Sequence, residues 1–127
     1  MKKILLIEDN AYIQENISLI LEFAGYEIRV AENGLVGLKL VSEFQPDLII
    51  SDIMMPVMDG YEVLQALRAN AATARIPFIF LTAKFANHSM LDGLEMGACD
   101  YLVKPFHEQE LLIAIENCLN SKATSPV

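Results

Sequence analysis

Four short apolar runs in this sequence end in residues that are suited to phosphate chemistry. The first run ends in Glu8 and Asp9, the third in Asp52, the fourth in Thr82 and the fifth in Lys104. Together they supply three carboxylates, one hydroxyl and one ammonium group. Each residue taken singly fits a helix cap, a turn or a solvated surface position better than a chemical role. A functional site is therefore predicted only if the fold gathers them.

The gathered set would have a definite chemistry. Three carboxylates within several ångströms repel one another, so at least one must hold a proton or face a cation. Oxygen ligands without sulfur favour a hard ion, Mg²⁺ before Mn²⁺, because Mg²⁺ accepts a few protein ligands together with water. Phosphoryl transfer needs an in-line nucleophile and compensation for charge on three equatorial oxygens. The set offers Asp52 as the nucleophile, with the metal ion, Lys104 and the Thr82 hydroxyl as compensating groups.

The apolar runs themselves have the pattern of strands in a parallel sheet. Nearly every position is apolar and many are β-branched or aromatic, as in strands that are covered on both faces. The second run alternates more and predicts an edge strand. The five runs span residues 4–7, 26–30, 48–50, 78–81 and 101–103.

Helical patterns separate these runs. The first helix is predicted from an apolar stripe, with Asn10 as its N-cap and Gly25 as its stop. The last helix, over about residues 107–120, has acidic residues in its first turn and a clear apolar stripe. The marker residues of the five helices, in order, are Ile13, Ile17, Ile20, Leu21 and Ala24; Leu35 and Leu38; Val63, Leu64 and Leu67; Met90, Leu91 and Leu94; and Leu111, Ile115 and Cys118.

Five strands alternating with five helices predict one α/β domain, a doubly wound five-stranded parallel sheet with helices on both faces. In such a sheet the carboxyl ends of the strands share one edge, where ligands bind. This topology would gather the polar residues described above. We expect the domain to span residues 1–120, with residues 121–127 as a short polar tail or the start of a linker.

Composition excludes several other classes of protein. The chain has 127 residues, 54% of them hydrophobic and 20% charged, and a net charge of −8. Such an acidic surface repels phosphate backbones and anionic lipid, so direct binding to nucleic acid or membrane is not expected. No apolar run approaches the ~20 residues of a membrane span, and carboxylates interrupt the apolar start too early for a signal peptide. Cys99 and Cys118 lack a CxxC spacing, which predicts lone thiols in a cytoplasmic protein, without zinc or a disulfide.

Four motifs closely resemble those of the response-regulator receiver family, over residues 2–119. The resemblance implies the flavodoxin-like fold with strand order 2-1-3-4-5. It also implies a phosphoacceptor that takes its phosphoryl group from the phosphohistidine of a sensor histidine kinase or a histidine phosphotransfer protein. The motifs are Glu8-Asp9, Asp52-Ile53-Met54-Met55-Pro56-Val57-Met58-Asp59-Gly60, Thr82-Ala83, and Gly97-Ala98-Cys99-Asp100-Tyr101-Leu102-Val103-Lys104-Pro105-Phe106.

The resemblance assigns roles around the acceptor. Asp52 is the implied phosphoacceptor, in a protein that is not an enzyme but assists its own phosphorylation and dephosphorylation. Asp9, Asp52 and the backbone carbonyl of Met54 are the implied Mg²⁺ ligands, and Glu8 would act through a metal-bound water. Lys104 would pair with the phosphoryl oxygens.

The resemblance also implies a conformational switch. Thr82 and Tyr101 are the switch pair, in which the hydroxyl moves toward the phosphoryl group and the ring turns inward. The surface that reports the switch would comprise the fourth predicted helix, the fifth strand and the fifth predicted helix, and a homodimer through this surface is left open. The Lys104–Pro105 peptide bond would be cis. Met54 and Lys84 occupy the positions that tune hydrolysis, and Cys99 stands where the family often has an acidic residue.

Other interpretations stay open at this point. The main alternative is a receiver-like module that binds proteins without being phosphorylated, although a purely structural domain has no reason to cluster like charges. A flavin carrier would need a phosphate loop after the first strand, and an aspartate-nucleophile phosphatase would need a D-x-D pattern there. Tyr12, Leu19 and Phe23 form a second stripe on the first helix, which fits a buried helix margin and a partner-docking surface about equally. The kinase, the output partner and the pathway are not readable from the sequence.

Overall fold

The structure, a computed structural model, describes residues 1–83 and 97–124, with side chains described up to residue 120. Lys84, His88 and the helix predicted from Met90, Leu91 and Leu94 lie outside the described residues. Within them the chain forms five strands and four helices. The strands are β1 (Lys3–Ile7), β2 (Glu27–Ala31), β3 (Leu48–Asp52), β4 (Phe78–Thr82) and β5 (Asp100–Val103), and the helices are α1 (Ala11–Phe23), α2 (Gly34–Phe44), α3 (Gly60–Arg68) and α4 (Glu108–Thr124).

The sheet has the topology that the sequence predicts. Every strand pair is parallel, and the order is β2-β1-β3-β4-β5. All residues of β3 and β4 are buried, whereas β2 lies at an edge and is mostly exposed. The doubly wound fold, the strand order and the edge position of the second strand are thus confirmed.

Two apolar clusters cover the two faces of the sheet. Alternate residues of β1 point to opposite faces, so Ile4 and Leu6 belong to one cluster and Leu5 and Ile7 to the other. The first cluster packs against α1 and α4, and the second against α2 and α3. This arrangement explains why the central strands read as continuous apolar runs.

The ends of α1 agree with the predicted caps. The Asn10 side chain accepts a hydrogen bond of 3.1 Å from the backbone N–H of Ile13, which satisfies one of the free N–H groups of the first turn. After the helix, Gly25 has a φ of +95°, a conformation that glycine adopts without strain. Ala24 is exposed rather than part of the buried stripe, because it lies at the C-cap beyond the last helical turn.

The second stripe of α1 faces solvent. Tyr12 is 87% exposed, Phe23 is 93% exposed and Leu19 is 53% exposed. The interpretation of these three residues as a buried helix margin is therefore wrong. Ile17 and Leu21 supply the buried contact of this helix instead.

Of the two residues that marked α2 in the sequence, Leu38 packs against the core and Leu35 does not. Leu35 is 44% exposed, and the residues that face the sheet are Gly34, Gly37, Val41 and Phe44. A Cβ atom at Gly37 would overlap the side chain of Ile7. The helix approaches β1 closely at this glycine, and a residue without a side chain leaves no apolar signal in the sequence.

The C-terminal helix α4 corresponds to the fifth predicted helix and is longer than predicted. It continues through Thr124, so residues 121–124 of the expected tail are helical. No glycine or proline stands between residue 108 and residue 125 to end the helix. Among the described residues, no helix is both long enough and apolar enough to cross a membrane.

The two cysteines are joined, which corrects the prediction of lone thiols. A disulfide links Cys99 to Cys118, 19 positions apart in the sequence. Because β5 and α4 run in opposite directions, the residue before the strand lies beside the last turns of the helix. The spacing of the two cysteines in the sequence does not indicate that they lie close together in the fold.

Candidate functional site

Three carboxylates meet at the carboxyl edge of the sheet. Glu8 and Asp9 follow β1 and Asp52 ends β3, and these strands are direct parallel neighbours. One oxygen from each carboxylate lies within 4.8 Å of the other two. Glu8 is fully buried and Asp52 is 8% exposed, whereas Asp9 is exposed. The predicted gathering of acidic groups is present.

Lys104 points into this group of carboxylates. Its Nζ lies 3.0 Å from Oε1 of Glu8 and 3.3 Å from Oδ1 of Asp52. Its backbone N–H donates to the carbonyl of Thr82, which continues the pairing of β4 with β5 by one residue. The Lys104–Pro105 peptide bond is cis, as the family resemblance implies. The ammonium group therefore bridges two acids from different strands.

Backbone N–H groups orient the two buried acids. Oε2 of Glu8 accepts a hydrogen bond of 3.0 Å from the N–H of Asn10, and Oδ1 of Asp52 accepts one of 3.1 Å from the N–H of Ile53. Charge-assisted bonds of this kind are stronger than neutral ones and restrict rotation of the carboxylate. Sequence reasoning assigned Asn10 only a capping role and gave Ile53 none, because backbone donors have no residue-type signature.

Gly60 is a further positioning residue that sequence reasoning missed. It begins α3, and its N–H donates to the carbonyl of Ile53 at 2.9 Å. A Cβ atom here would overlap the backbone carbonyl oxygen of Asp52 and lie 3.2 Å from the ring of Phe80. The absence of a side chain therefore lets α3 start directly against the end of β3. The Asp59-Gly60 pair, shortly before the helix marker Val63, was the available signal, and Asp59 does cap the helix.

Burial disfavours the ionised form of Glu8 and of Asp52. Burial raises the pKa of Glu8, and the nearby Asp52 raises it further, while the Asn10 N–H and Lys104 oppose the shift. Burial also raises the pKa of Asp52, with Lys104 as the main opposing influence. Two adjacent carboxyl groups and one ammonium group leave the site short of positive charge.

These features fit a hard divalent cation. The donor atoms are carboxylate oxygens, and sulfur or imidazole ligands are missing from this cluster of described residues. Both oxygens of Glu8 already accept hydrogen bonds, from Asn10 and from Lys104. Asp9 and Asp52 are therefore better placed than Glu8 to contact a cation directly.

The remaining predicted residues lie around this centre. Thr82 ends β4, is 2% exposed, and its hydroxyl donates to the carbonyl of Ala83 at 3.4 Å. Tyr101 is half-buried in β5, where its ring packs against the apolar cluster on the α2–α3 face. Met54 lies in the loop after Asp52 with its side chain exposed, and its ligand role stays a prediction.

Comparison with known sequences agrees with this geometry. A family model for the response regulator receiver domain matches residues 4–116. The chain is 41% identical over 119 residues to the DNA-binding dual master transcriptional regulator RpaA of Synechocystis, covering 94% of this chain and 49% of that protein. It is also 41% identical over 118 residues to the phosphate regulon transcriptional regulatory protein PhoB of Pseudomonas aeruginosa, covering 93% and 52%. The chain spans about half the length of the curated relatives it matches.

Solved structures show the same fold. A response regulator receiver domain protein from Clostridium thermocellum superposes with a TM-score of 0.90 at 33% identity, covering 97% of this chain and 98% of that chain. The chemotaxis response regulator CheY4 of Vibrio cholerae gives 0.86 at 34% identity, covering 93% and 98%. The receiver domain of the sensor histidine kinase PA1611 from Pseudomonas aeruginosa gives 0.86 at 32% identity, covering 94% and 98%, and has magnesium coordinated in its active-site cleft.

The chain therefore belongs to the response regulator receiver domain family. Receiver domains are phosphoacceptor modules of two-component signalling, act with sensor histidine kinases, and are generally not classed as enzymes.

Proposed function

We propose that Asp52 accepts the phosphoryl group in this receiver domain. The observation that carries the proposal is the Lys104 ammonium, which bridges Glu8 and Asp52 while Asp9 completes the acidic cluster. Asp52 ends the strand that lies between β1 and β4, so it sits at the centre of the site.

In the transfer step, a carboxylate oxygen of Asp52 attacks the phosphorus of a partner's phosphohistidine. The new O–P bond forms as the P–N bond breaks, and the electron pair leaves with the imidazole. Lys104 exchanges its contact with Asp52 for a phosphoryl oxygen, and the Thr82 hydroxyl offers a second donor. The chain itself thus supplies electrostatic assistance for both its phosphorylation and its later hydrolysis.

A magnesium ion at this site would be held by Asp9, Asp52 and the Met54 carbonyl, with Glu8 acting through a bound water. The ion supplies charge that offsets the phosphoryl oxygens, and Mn²⁺ has the same preference for oxygen ligands. Three observations support this assignment. The carboxylate oxygens of the cluster are ligands that magnesium prefers, both oxygens of Glu8 already accept hydrogen bonds, and the PA1611 receiver domain holds magnesium in its active-site cleft.

The phosphorylated site would then bias a conformational equilibrium. Thr82 moves toward the phosphoryl group and the half-buried Tyr101 ring turns further inward, with a coupling of about 1–3 kcal/mol. The responding surface comprises the fourth predicted helix, β5 and α4. A homodimer through this surface is one form that the output could take.

The phosphodonor is a sensor histidine kinase or a histidine phosphotransfer protein, and it docks on α1 in this proposal. Tyr12, Leu19 and Phe23 are large, apolar and exposed on that helix. Beside them, Ile13, Ile17, Pro105 and Phe106 line a shallow apolar cavity next to Lys104. A partner helix seated on this surface would bring its histidine toward Asp52.

We place the protein in the cytoplasm, where such donors act. Its net charge of −8 makes direct contact with nucleic acid or membrane by this domain unfavourable. Output would therefore pass through another domain or protein. A module that binds without phosphorylation is not favoured, because it would retain the cost of burying Glu8 and Asp52 together without using them.

Incubation with acetyl phosphate and Mg²⁺, followed by intact-mass and peptide mass spectrometry, tests the acceptor. We expect one phosphoryl adduct on the wild type, none on Asp52→Asn, and none when EDTA removes the metal. Asp59→Asn is the matched control, since the same chemical change retains the helix cap there. An undiminished adduct on Asp52→Asn, or no adduct on the wild type, would rule out this assignment.

A further inference from the structure

The disulfide between Cys99 and Cys118 lies away from the phosphoacceptor site. Cys99 directly precedes β5, at the amino end of the strand, and Cys118 lies in α4. Lys104 follows the opposite, carboxyl end of β5, beside Asp52. The bond therefore ties the C-terminal helix to the edge of the sheet that does not carry phosphate chemistry.

Contacts other than the disulfide hold Cys99 in place. Its backbone N–H donates to the carbonyl of Phe78 at 2.7 Å, as part of the β4–β5 pairing. Just before it, the Arg68 guanidinium donates to the carbonyl of Gly97 at 3.0 Å and to that of Ile76 at 2.9 Å. The turn that presents Cys99 is thus attached to both α3 and β4.

Apolar packing holds Cys118 in place in the same way. Leu111, Ala114, Ile115 and Cys118 share one buried face of α4, and Cys118 is 1% exposed. The Cα atoms of the two cysteines are 5.9 Å apart, within the usual range for a disulfide. Because neither anchor depends on the S–S bond, the two thiols would still face each other after reduction.

The two cysteines also differ in access. Cys99 is exposed, whereas Cys118 is enclosed by the core. Disulfide exchange requires a thiolate to reach one sulfur, and accessible disulfides are the labile ones. An incoming thiolate would therefore approach the Cys99 side.

We propose that Cys99 and Cys118 form a reversible dithiol–disulfide site that sets how firmly α4 is held to the sheet. A thiolate of a cellular dithiol reductant attacks Sγ of Cys99, the S–S bond breaks, and Cys118 leaves as a thiolate that takes up a proton. The second thiol of the reductant then resolves the mixed disulfide, which frees Cys99 and leaves the reductant oxidised. In the oxidation, the Cys99 thiolate attacks oxidised glutathione and releases one glutathione thiol. Cys118 then attacks Cys99 in the mixed disulfide, and the second glutathione leaves as a thiol when the Cys99–Cys118 bond forms.

Closing the loop restricts the unfolded chain and thus favours the attached helix. For a loop of this length the unfolding equilibrium constant should be roughly two- to three-hundredfold smaller in the oxidised form. Phosphoryl acceptance should be the same in both forms, because the bond lies at the other edge of the sheet. The redox site is thus independent of the proposed role of Asp52, and either can fail alone.

The test uses the whole chain in native buffer. Protein equilibrated with oxidised glutathione should take up no maleimide and yield a cross-linked Cys99–Cys118 peptide. A second sample is reduced with dithiothreitol in native buffer, and the dithiothreitol is then removed. When this sample is unfolded in urea at neutral pH, which exposes Cys118, both of its two cysteines should react with maleimide. Urea unfolding and hydrogen exchange of the oxidised and reduced wild type should then show the expected difference in stability, largest in α4.

Cys99→Ser is the matched variant, because an exposed cysteine can become serine without leaving a cavity. It should match the reduced wild type in stability and should no longer respond to oxidised glutathione. Three results would overturn the proposal. The first is thiols that stay unpaired in oxidised glutathione, and the second is a bond that dithiothreitol opens only in denaturant. The third is equal stability of the oxidised and reduced wild type. The wild-type comparison decides the matter even if the variant does not fold.

Discussion

Replacing Lys104 by methionine removes one positive charge from between two buried acids while keeping a side chain of similar length. The ammonium is 3.0 Å from Glu8, which is fully buried, and 3.3 Å from Asp52, which is 8% exposed. Without it, the two carboxyl groups face each other with no neutralising partner. Both pKa values, already raised by burial, should rise further.

The size of the effect follows from the burial of the partners. Removing one member of a buried ion pair costs about 3–5 kcal/mol. The Lys104 side chain is 23% exposed, so water screens part of the interaction. We therefore expect a loss near the lower limit, about 3 kcal/mol at neutral pH, which lowers Tm by about 10 °C for a chain of this size.

The loss should depend on pH in a definite direction. A carboxyl group whose folded pKa is raised stabilises the fold below its unfolded pKa, and this contribution disappears as pH rises through the folded value. The ordinary glutamate value is 4.5. The Lys104→Met deficit should therefore be small below the ordinary aspartate value of 3.8, where both acids are protonated in both states, and should grow toward neutral pH.

Urea unfolding followed by circular dichroism, at several pH values and with EDTA present, measures this profile. Lys39→Met is the matched control, since Lys39 is exposed on α2 and its loss should cost less than about 0.5 kcal/mol. A Lys104→Met protein as stable as the wild type at neutral pH would refute the electrostatic reasoning. A deficit that does not change with pH would refute it too, because it would indicate lost packing.

Three further predictions follow from the same geometry. Asp52→Asn removes an acid whose pKa is raised, so it should be more stable than the wild type above the ordinary aspartate value of 3.8, with the difference growing toward neutral pH; urea titrations showing no difference at neutral pH would contradict this. Gly60→Ala should destabilise by about 1–3 kcal/mol and slow phosphorylation, because its Cβ meets the Asp52 carbonyl; a gain in Tm, as expected for alanine in an open helix position, would contradict the close approach. Phe23→Ser should leave urea stability within about 0.5 kcal/mol but weaken phosphotransfer from the cognate kinase, and unchanged transfer would remove Phe23 from the docking surface.

Much of the fold could be predicted because its signals are local. Each central strand has helices on both faces of the sheet, so nearly every residue of the strand is buried and apolar, and the strand is visible in the sequence as a short apolar run. The polar residues that end β1, β3 and β4 interrupt those runs abruptly, which makes the strand ends easy to find. Parallel pairing then brings the ends together without further information, and the cluster of Glu8, Asp9 and Asp52 follows.

Predictions failed where a signal depended on an absent side chain or a distant partner. The core face of α2 includes Gly34 and Gly37, which allow close contact because they lack a side chain, so the apolar markers Leu35 and Leu38 recorded only part of that face. For Tyr12 and Phe23 the sequence left two interpretations open, because hydrophobicity alone does not distinguish a core face from a surface that another protein covers, and their exposure excludes the first.

Residue types and their order along the chain were sufficient for the strand pattern, the acidic cluster and the family. Lys104 was also predicted to lie at this edge of the sheet, but its ion pairs with the two buried acids and the disulfide required three-dimensional packing. Lys104 bridges Glu8 and Asp52 because three separate strands converge, and Cys99 meets Cys118 because an antiparallel helix returns past the start of β5. Local patterns record whether a residue is buried, but contacts between segments far apart in sequence arise only from the directions in which those segments pack.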